Sequence, residues 1–163
     1  MIIKQITYCL GAIFLLNLGS GCVPISKQFV GNTLAPKQQV IKLQSGGPHM
    51  DSWQNFDVKI DYEYKQNDAV LNISGRAVLG QHYVMTFDNL NDLELYLFFI
   101  DGNSRVLGTN MLARSVTQNI AETLQFNESY KSPPGTTGIS FGYRGHVSAM
   151  KDNETFYLLP LDH

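Results

Sequence analysis

Hydrophobic and polar residues alternate along most of the chain beyond position 53. The clearest stretch is 56–65, where Phe56, Val58, Ile60, Tyr62 and Tyr64 alternate with Asp57, Lys59, Asp61, Glu63 and Lys65. Successive side chains of a strand point to opposite faces, so this spacing predicts a strand with one buried and one wet face. Gln66-Asn67-Asp68 predicts a turn, and 69–79 returns with Leu71, Ile73, Gly75, Ala77 and Leu79 on one side. Two such runs across a short polar turn make an antiparallel hairpin. Tyr83, Met85 and Phe87 repeat the alternation.

The segment 93–100 is different, being apolar at almost every position: Leu93, Leu95, Tyr96, Leu97, Phe98, Phe99, Ile100. Such a run suits a central strand covered on both faces, or the start of a buried helix. Asp101-Gly102-Asn103 favours a hairpin with 105–112, because Asp-Gly accepts positive φ. Residues 113–122 read as a loop or one or two helical turns. A strand over 123–130, with Leu124 and Phe126 inward, precedes the rigid turn Pro133-Pro134-Gly135. Then Ile139, Phe141, Tyr143, Gly145 and Val147 alternate with Ser140, Gly142, Arg144, His146 and Ser148, and a last strand covers 155–161. The glycines in this stretch mark a bulge or a place where another backbone comes close. About eight strands at spacings near a dozen residues predict an all-β fold, a single antiparallel β-sandwich. Its rhythm resembles the immunoglobulin and fibronectin-III kind, without the Cys-Trp-Cys core of antibody domains; a small closed barrel is the alternative.

Upstream, the pattern changes. Met1, Ile2, Ile3 and Lys4 lead into an apolar run over 6–18, followed by Gly19-Ser20-Gly21-Cys22. A positive start, a short apolar core and small residues before a break make a secretory signal peptide. The run is shorter than the about 20 residues a spanning helix needs. A cysteine directly after small residues resembles the bacterial lipoprotein signal, with Gly19 where that family usually has leucine and Leu18 one place earlier. The resemblance implies removal of 1–21, acylation of Cys22 with fatty acid such as palmitate, and a membrane anchor. Several acyl chains on one cysteine hold durably, at about 0.8 kcal/mol per buried CH₂. Val23 in place of aspartate implies, by the enteric rule, the outer membrane, facing the periplasm. An ordinary cleaved signal with a free thiol and an uncleaved apolar anchor are the alternatives. Cys9 leaves with the signal, so the mature chain carries one cysteine and no internal disulfide.

Residues 22–52 hold Pro24, Pro36, Pro48, Gly31, Gly46 and Gly47 among polar residues, and only 40–43 alternates like a strand. This composition predicts an extended tether, or a segment lying along the domain surface, before the sandwich at 53–163.

Composition narrows the function. The chain has 44% hydrophobic and 11% aromatic residues and a net charge of −2, about −3 once Lys4 is gone. That is enough for a packed core. Lysines and arginines are scattered, so no nucleic-acid partner is expected, since phosphate neutralisation dominates that affinity. His49, His82, His146 and His163 lack metal-site spacing, and no GxSxG nucleophile motif or phosphate loop is present. Neither cofactor nor metal is expected. Asp57, Asp61 and Glu63 sit among lysines on one strand face, where alternating charge serves solubility and cross-strand pairing.

The most distinctive run is 139–146. Arg144 and His146 share a face with Gly142 between them and Ser140, a candidate patch for a partner or ligand, or an ordinary outer face with Arg144 paired to a carboxylate. Trp53, at the junction of tether and domain, joins the candidate patch or caps the core. The leading expectation is a lipid-anchored, non-enzymatic envelope protein acting as accessory or scaffold subunit through protein contacts. The alternative is a ligand-binding module, carbohydrate included, using aromatic residues. Replacing Cys22→Ala should leave the domain folded and move it from the membrane to the soluble periplasmic fraction. Full retention on the membrane would refute the anchor.

Overall fold

The computed structural model describes residues 27–161. Residues 1–21, read above as a signal, and Cys22 and His163 lie outside the described residues. Nine strands and one short helix follow in chain order: β1 (Ile41–Lys42), β2 (Gly46–Gln54), β3 (Val58–Asn67), β4 (Val70–Leu79), α1 (Gln81–Thr86), β5 (Asn89–Ile100), β6 (Val106–Asn119), β7 (Leu124–Lys131), β8 (Gly138–Ser148) and β9 (Asn153–Leu158). They form two antiparallel sheets. One runs β2-β3-β4-β7; the other runs β8-β5-β6, with β1 and β9 both paired to the outer edge of β8 at opposite ends of that strand.

Consecutive strands β4 and β5 fall in different sheets, and so do β6 and β7, and β7 and β8. The chain therefore weaves between layers, with β4 beside β7 in one sheet and β5 beside β8 in the other. The main core lies between the sheets. Ile60, Tyr62, Leu71 and Ile73 from one meet Leu93, Leu95, Phe141 and Tyr143 from the other. The alternation over 58–64 and 71–79 forms the predicted hairpin, with Asp68 at its turn in the left-handed region (φ 49).

Four expectations need correction. The stretch read as a tether is folded onto the sandwich from residue 27: β1 and β2 lie within it, and the expected boundary at 53 falls inside β2. With 83–87 in a helical turn, β1 and β2 together bring the count to nine strands instead of eight. Tyr83 and Phe87 belong to a helical turn, not a strand. They lie four apart on its buried side, with the Phe87 N–H donating to the Tyr83 carbonyl, while Met85 faces out. A period of two and a single helical turn share two of three positions here, which is why the alternation misled. Finally, β6 runs on to Asn119 through the stretch read as a loop. Its inward positions opposite Leu95 and Leu93 are the small residues Ala113 and Ser115, so the alternation was muted.

Strand β5 is covered on both faces. Leu93, Leu95, Leu97 and Phe99 enter the main core, while Tyr96, Phe98 and Ile100 form a second cluster on the outside with Leu34 and Val106. Its cover is the segment 27–40. Phe29 sets its ring edge against Tyr96 and Phe98 (centroids 6.1 and 5.7 Å). The Gly31 N–H donates to the Val106 carbonyl, and the Gln38 amide to the Phe141 carbonyl (3.2 Å).

The glycines of β8 mark close approaches. A Cβ on Gly142 would strike the Phe98 ring and lie 2.6 Å from the Leu158 carbonyl oxygen, and one on Gly145 would enter the Phe156 ring. Gly142→Ala should therefore cost about 1–3 kcal/mol of stability in urea unfolding, the usual penalty of overpacking. Unchanged stability would show that the sheet yields there freely.

Candidate interaction site

Two regions hold the polar side chains of interest: the outer face of the β6-β5-β8-β9 sheet and the loop end where β3 and β5 begin.

On the outer face, Glu94 of β5 stands directly between Arg114 of β6 and Arg144 of β8, and Arg144 is opposite Tyr157 of β9. Glu94 is buried beneath them. Arg144 Nη2 lies 3.1 Å from Glu94 Oε2, Arg114 Nε lies 3.6 Å from Oε1, and the Tyr96 hydroxyl donates to Oε2 (2.6 Å). One row away, Asp92 pairs with Arg114 (3.2 Å), and His146 Nδ1 meets the Thr155 hydroxyl (3.1 Å). Arg144 and His146 thus share a face, as the alternation predicted, and Arg144 has its carboxylate. Trp53 does not join them. Its side chain is 2% exposed and packs between the sheets against Phe141 and Tyr143, so it is core.

The loop end is built on a turn. The Asn55 side-chain oxygen accepts the N–H groups of Asp57 (3.0 Å) and Val58 (2.9 Å), the local bonding that suits asparagine to turns. This places Phe56 at the tip, pointing outward. The Gly80 N–H donates to the Asp57 carbonyl (2.6 Å), and a Cβ on Gly80 would meet the Phe56 carbonyl oxygen and the His82 ring, so only glycine permits the two loops to touch. His82 then stacks on Phe56 (centroids 4.0 Å, planes 27° apart) and lies against Tyr83 at the same distance, and Tyr83 stacks on Phe156.

Below this stack, hydrogen bonds tie the two sheets. The Tyr143 hydroxyl of β8 donates to Asp57 Oδ2 (2.5 Å) and accepts from the Asn55 amide. The Tyr83 hydroxyl lies 3.2 Å from Asp57 Oδ1 and 3.1 Å from Glu154 Oε1 of β9, with one proton to share between them. Burial first, then the negative charge of Asp57 and the bond to Glu154, raises the Tyr83 pKa; burial and the bond to Asp57 raise that of Tyr143.

This end also carries three large, well-exposed apolar side chains, while Met50 of β2, 79% exposed, stands away from it. Phe56 is 76% exposed, Met85 on α1 79%, and Met150 in the β8–β9 turn 94%. The sequence reading missed them because an exposed methionine and an exposed phenylalanine look like core in a sequence. Only the Asn55 turn hinted that Phe56 stands outside.

The clefts lie elsewhere. One of about 490 Å³ at the opposite end is lined by Gln66, Asp68, Lys131, Ser132, Pro133 and Pro134 among others; none of its lining residues is aromatic, and it includes neither Arg144 nor His146. Among the described residues no three of His, Cys, Asp and Glu gather as a metal site, and no helix is long and apolar enough to cross a membrane. No family model, no curated protein and no solved structure matches this chain.

Burial also raises the tyrosine pKa values at Tyr62, Tyr96 and Tyr130, the last to about 12, aided by the nearby charges of Asp51, Glu94 and Glu128 respectively. In the unfolded chain tyrosine ionises near pH 10, so these groups stabilise the fold fully below pH 10 and less as pH rises through their folded values. Absorbance at 295 nm should show the tyrosines at 62, 83, 96, 130 and 143 ionising together with alkaline unfolding. Their titration near pH 10 with an unchanged circular dichroism spectrum would contradict the burial described.

Proposed function

We propose that this is a lipid-anchored protein of the bacterial cell envelope that works without catalysis, as an accessory or scaffold subunit, by binding another protein through the loop end of its sandwich. The observation that carries this reading is Phe56: an aromatic side chain mostly exposed yet stacked on His82, which is itself backed by Tyr83, at the same end as Met85 and Met150. Keeping apolar surface in water is unfavourable, and clustered exposed apolar groups mark binding sites. A pre-positioned aromatic binds with little ordering cost, and methionine adapts its shape to a partner.

The strand order supports an immunoglobulin-like sandwich. Strands β3-β4-β7 facing β6-β5-β8-β9 correspond to A-B-E facing C′-C-F-G, with β1 and β2 as additions. On that equivalence, α1 lies in the B–C connection and Met150 in the F–G loop, the end at which antibody domains carry recognition loops. Fold alone does not fix function, so the side chains bear the weight. A non-catalytic reading is favoured because the polar groups that do converge at this end, Asp57, Tyr83, Tyr143 and Glu154, bond to one another across the sheets. The lipid anchor rests on the signal at 1–22 and Cys22.

Photocrosslinking in intact cells tests this, with the probe residue placed at Met85 or Met150. One envelope protein should be captured from these sites and not from Gln125 on the opposite sheet, and the second substitution Phe56→Asp should reduce the yield at least about tenfold, as for loss of an interface anchor. Equal capture from all three positions, or capture indifferent to Phe56→Asp in a folded variant, would refute the reading.

A further inference from the structure

We infer that the outer face of the β6-β5-β8-β9 sheet lies against the headgroups of the membrane that holds the anchor. The inference rests on the reading of Cys22 as lipidated.

The described chain begins on this face. Phe29 is seated on Tyr96 and Phe98 at the middle of the sheet, and from there the segment runs over its lower half to Val106 before turning to β1. Lys27 is five residue steps from Cys22, and a chain spans at most about 3.6 Å per step, so the anchor is within about 18 Å of Lys27. The outer surface of the opposite sheet is separated from this one by an inter-sheet spacing of about 10 Å and side chains on both sides. A link of that length can bring the face carrying Phe29 to the lipid directly; to present the opposite face it would have to wrap round a sheet edge.

The uncovered half of the face has side chains suited to that neighbour. It presents Arg114 and Arg144, each side chain more than half exposed, with Tyr157 and Val116 beside them. Glu94 lies buried beneath the arginines and holds them upright. Arginine binds phosphate through its forked donors and tolerates partial dehydration better than lysine. Tyrosine, apolar in body and polar at its tip, favours the headgroup level. The carboxylates Asp92 and Glu94 balance the formal charge of the two arginines, so contact depends on the anchor and is not strong alone. In this pose the loop end with Phe56 and Met150 is directed along the bilayer.

Single cysteines read the pose, because the mature domain has none beyond Cys22. Val116→Cys and Tyr157→Cys on this face, and Gln125→Cys on the opposite one, are made in the acylated full-length protein and labelled with an environment-sensitive fluorophore. Each is reconstituted into phosphatidylethanolamine–phosphatidylglycerol vesicles containing headgroup-level spin-labelled lipid. The labels at 116 and 157 should be quenched several-fold more than the label at 125. Vesicle-bound protein quenched equally at all three positions would overturn the orientation while leaving the anchor intact. Protein that does not float with the vesicles, and whose mass lacks the acyl chains, would overturn the anchor and the orientation with it.

Discussion

The structure depends on burying one strand from both sides. Strand β5 carries large apolar groups on each face, five into the main core and Tyr96, Phe98 and Ile100 outward. A sheet in a two-layer sandwich has a dry side and a wet side, so three such residues on the wet side need a second cover. Each Phe, Leu or Ile side chain taken out of water is worth about 1.5–3 kcal/mol. The segment 27–40, with Phe29 and Leu34, provides that cover, and Leu159 after β9 adds to it. Proline and glycine do not prevent this, because the segment binds as an irregular chain through scattered backbone bonds rather than as a strand of the sheet. The result is a sandwich with a third, partial layer.

The same strand sets the chemistry of its uncovered half. Antiparallel pairing on both sides of β5 brings Arg114 and Arg144 level with Glu94, and the pleat turns all three outward. A carboxylate so enclosed is costly unless it is paired, and here two guanidinium groups and the Tyr96 hydroxyl satisfy it. Exposed ion pairs contribute little to stability. The value of this ladder is positional: it fixes where two arginines stand at the surface.

At the loop end, rigidity and exposure are coupled. Asp57 accepts from Tyr143 on the opposite sheet and shares Tyr83 with Glu154, so the layers are stitched where the connections are longest. Phe56, one residue away on the same turn, inherits that fixed backbone and rests on His82. A loop held from below can present an apolar side chain to water without collapsing onto it. The outer face of the β6-β5-β8-β9 sheet and this loop end are different surfaces of one domain.

Much of the architecture was legible in the chain, for a simple reason. A strand with one buried face writes its orientation into every second residue, so β3, β4, β7 and β8 could be read, along with the hairpin at Asp68 and the side shared by Arg144 and His146. A run apolar on both faces likewise suited a strand covered twice or a buried helix, and β5 is the strand. What covers it could not be read, because Phe29 and Leu34 sit among prolines and polar residues with no period, and their partners are about seventy residues away. Trp53 was ambiguous at a segment boundary until packing placed it inside. Ala113 and Ser115 hid a strand, since small side chains opposite leucines carry almost no pattern. Phe56, Met85 and Met150 were silent because hydrophobicity tells which residues prefer burial, not which ones the finished packing leaves outside. The sequence by itself determined most of the strands, their faces and the apolar run before Cys22, all of which depend on near neighbours along the chain. The partner layer on β5, the Asp57 stitch and the exposed loop end were decided only by tertiary structure, where residues far apart in sequence compete for a limited interior.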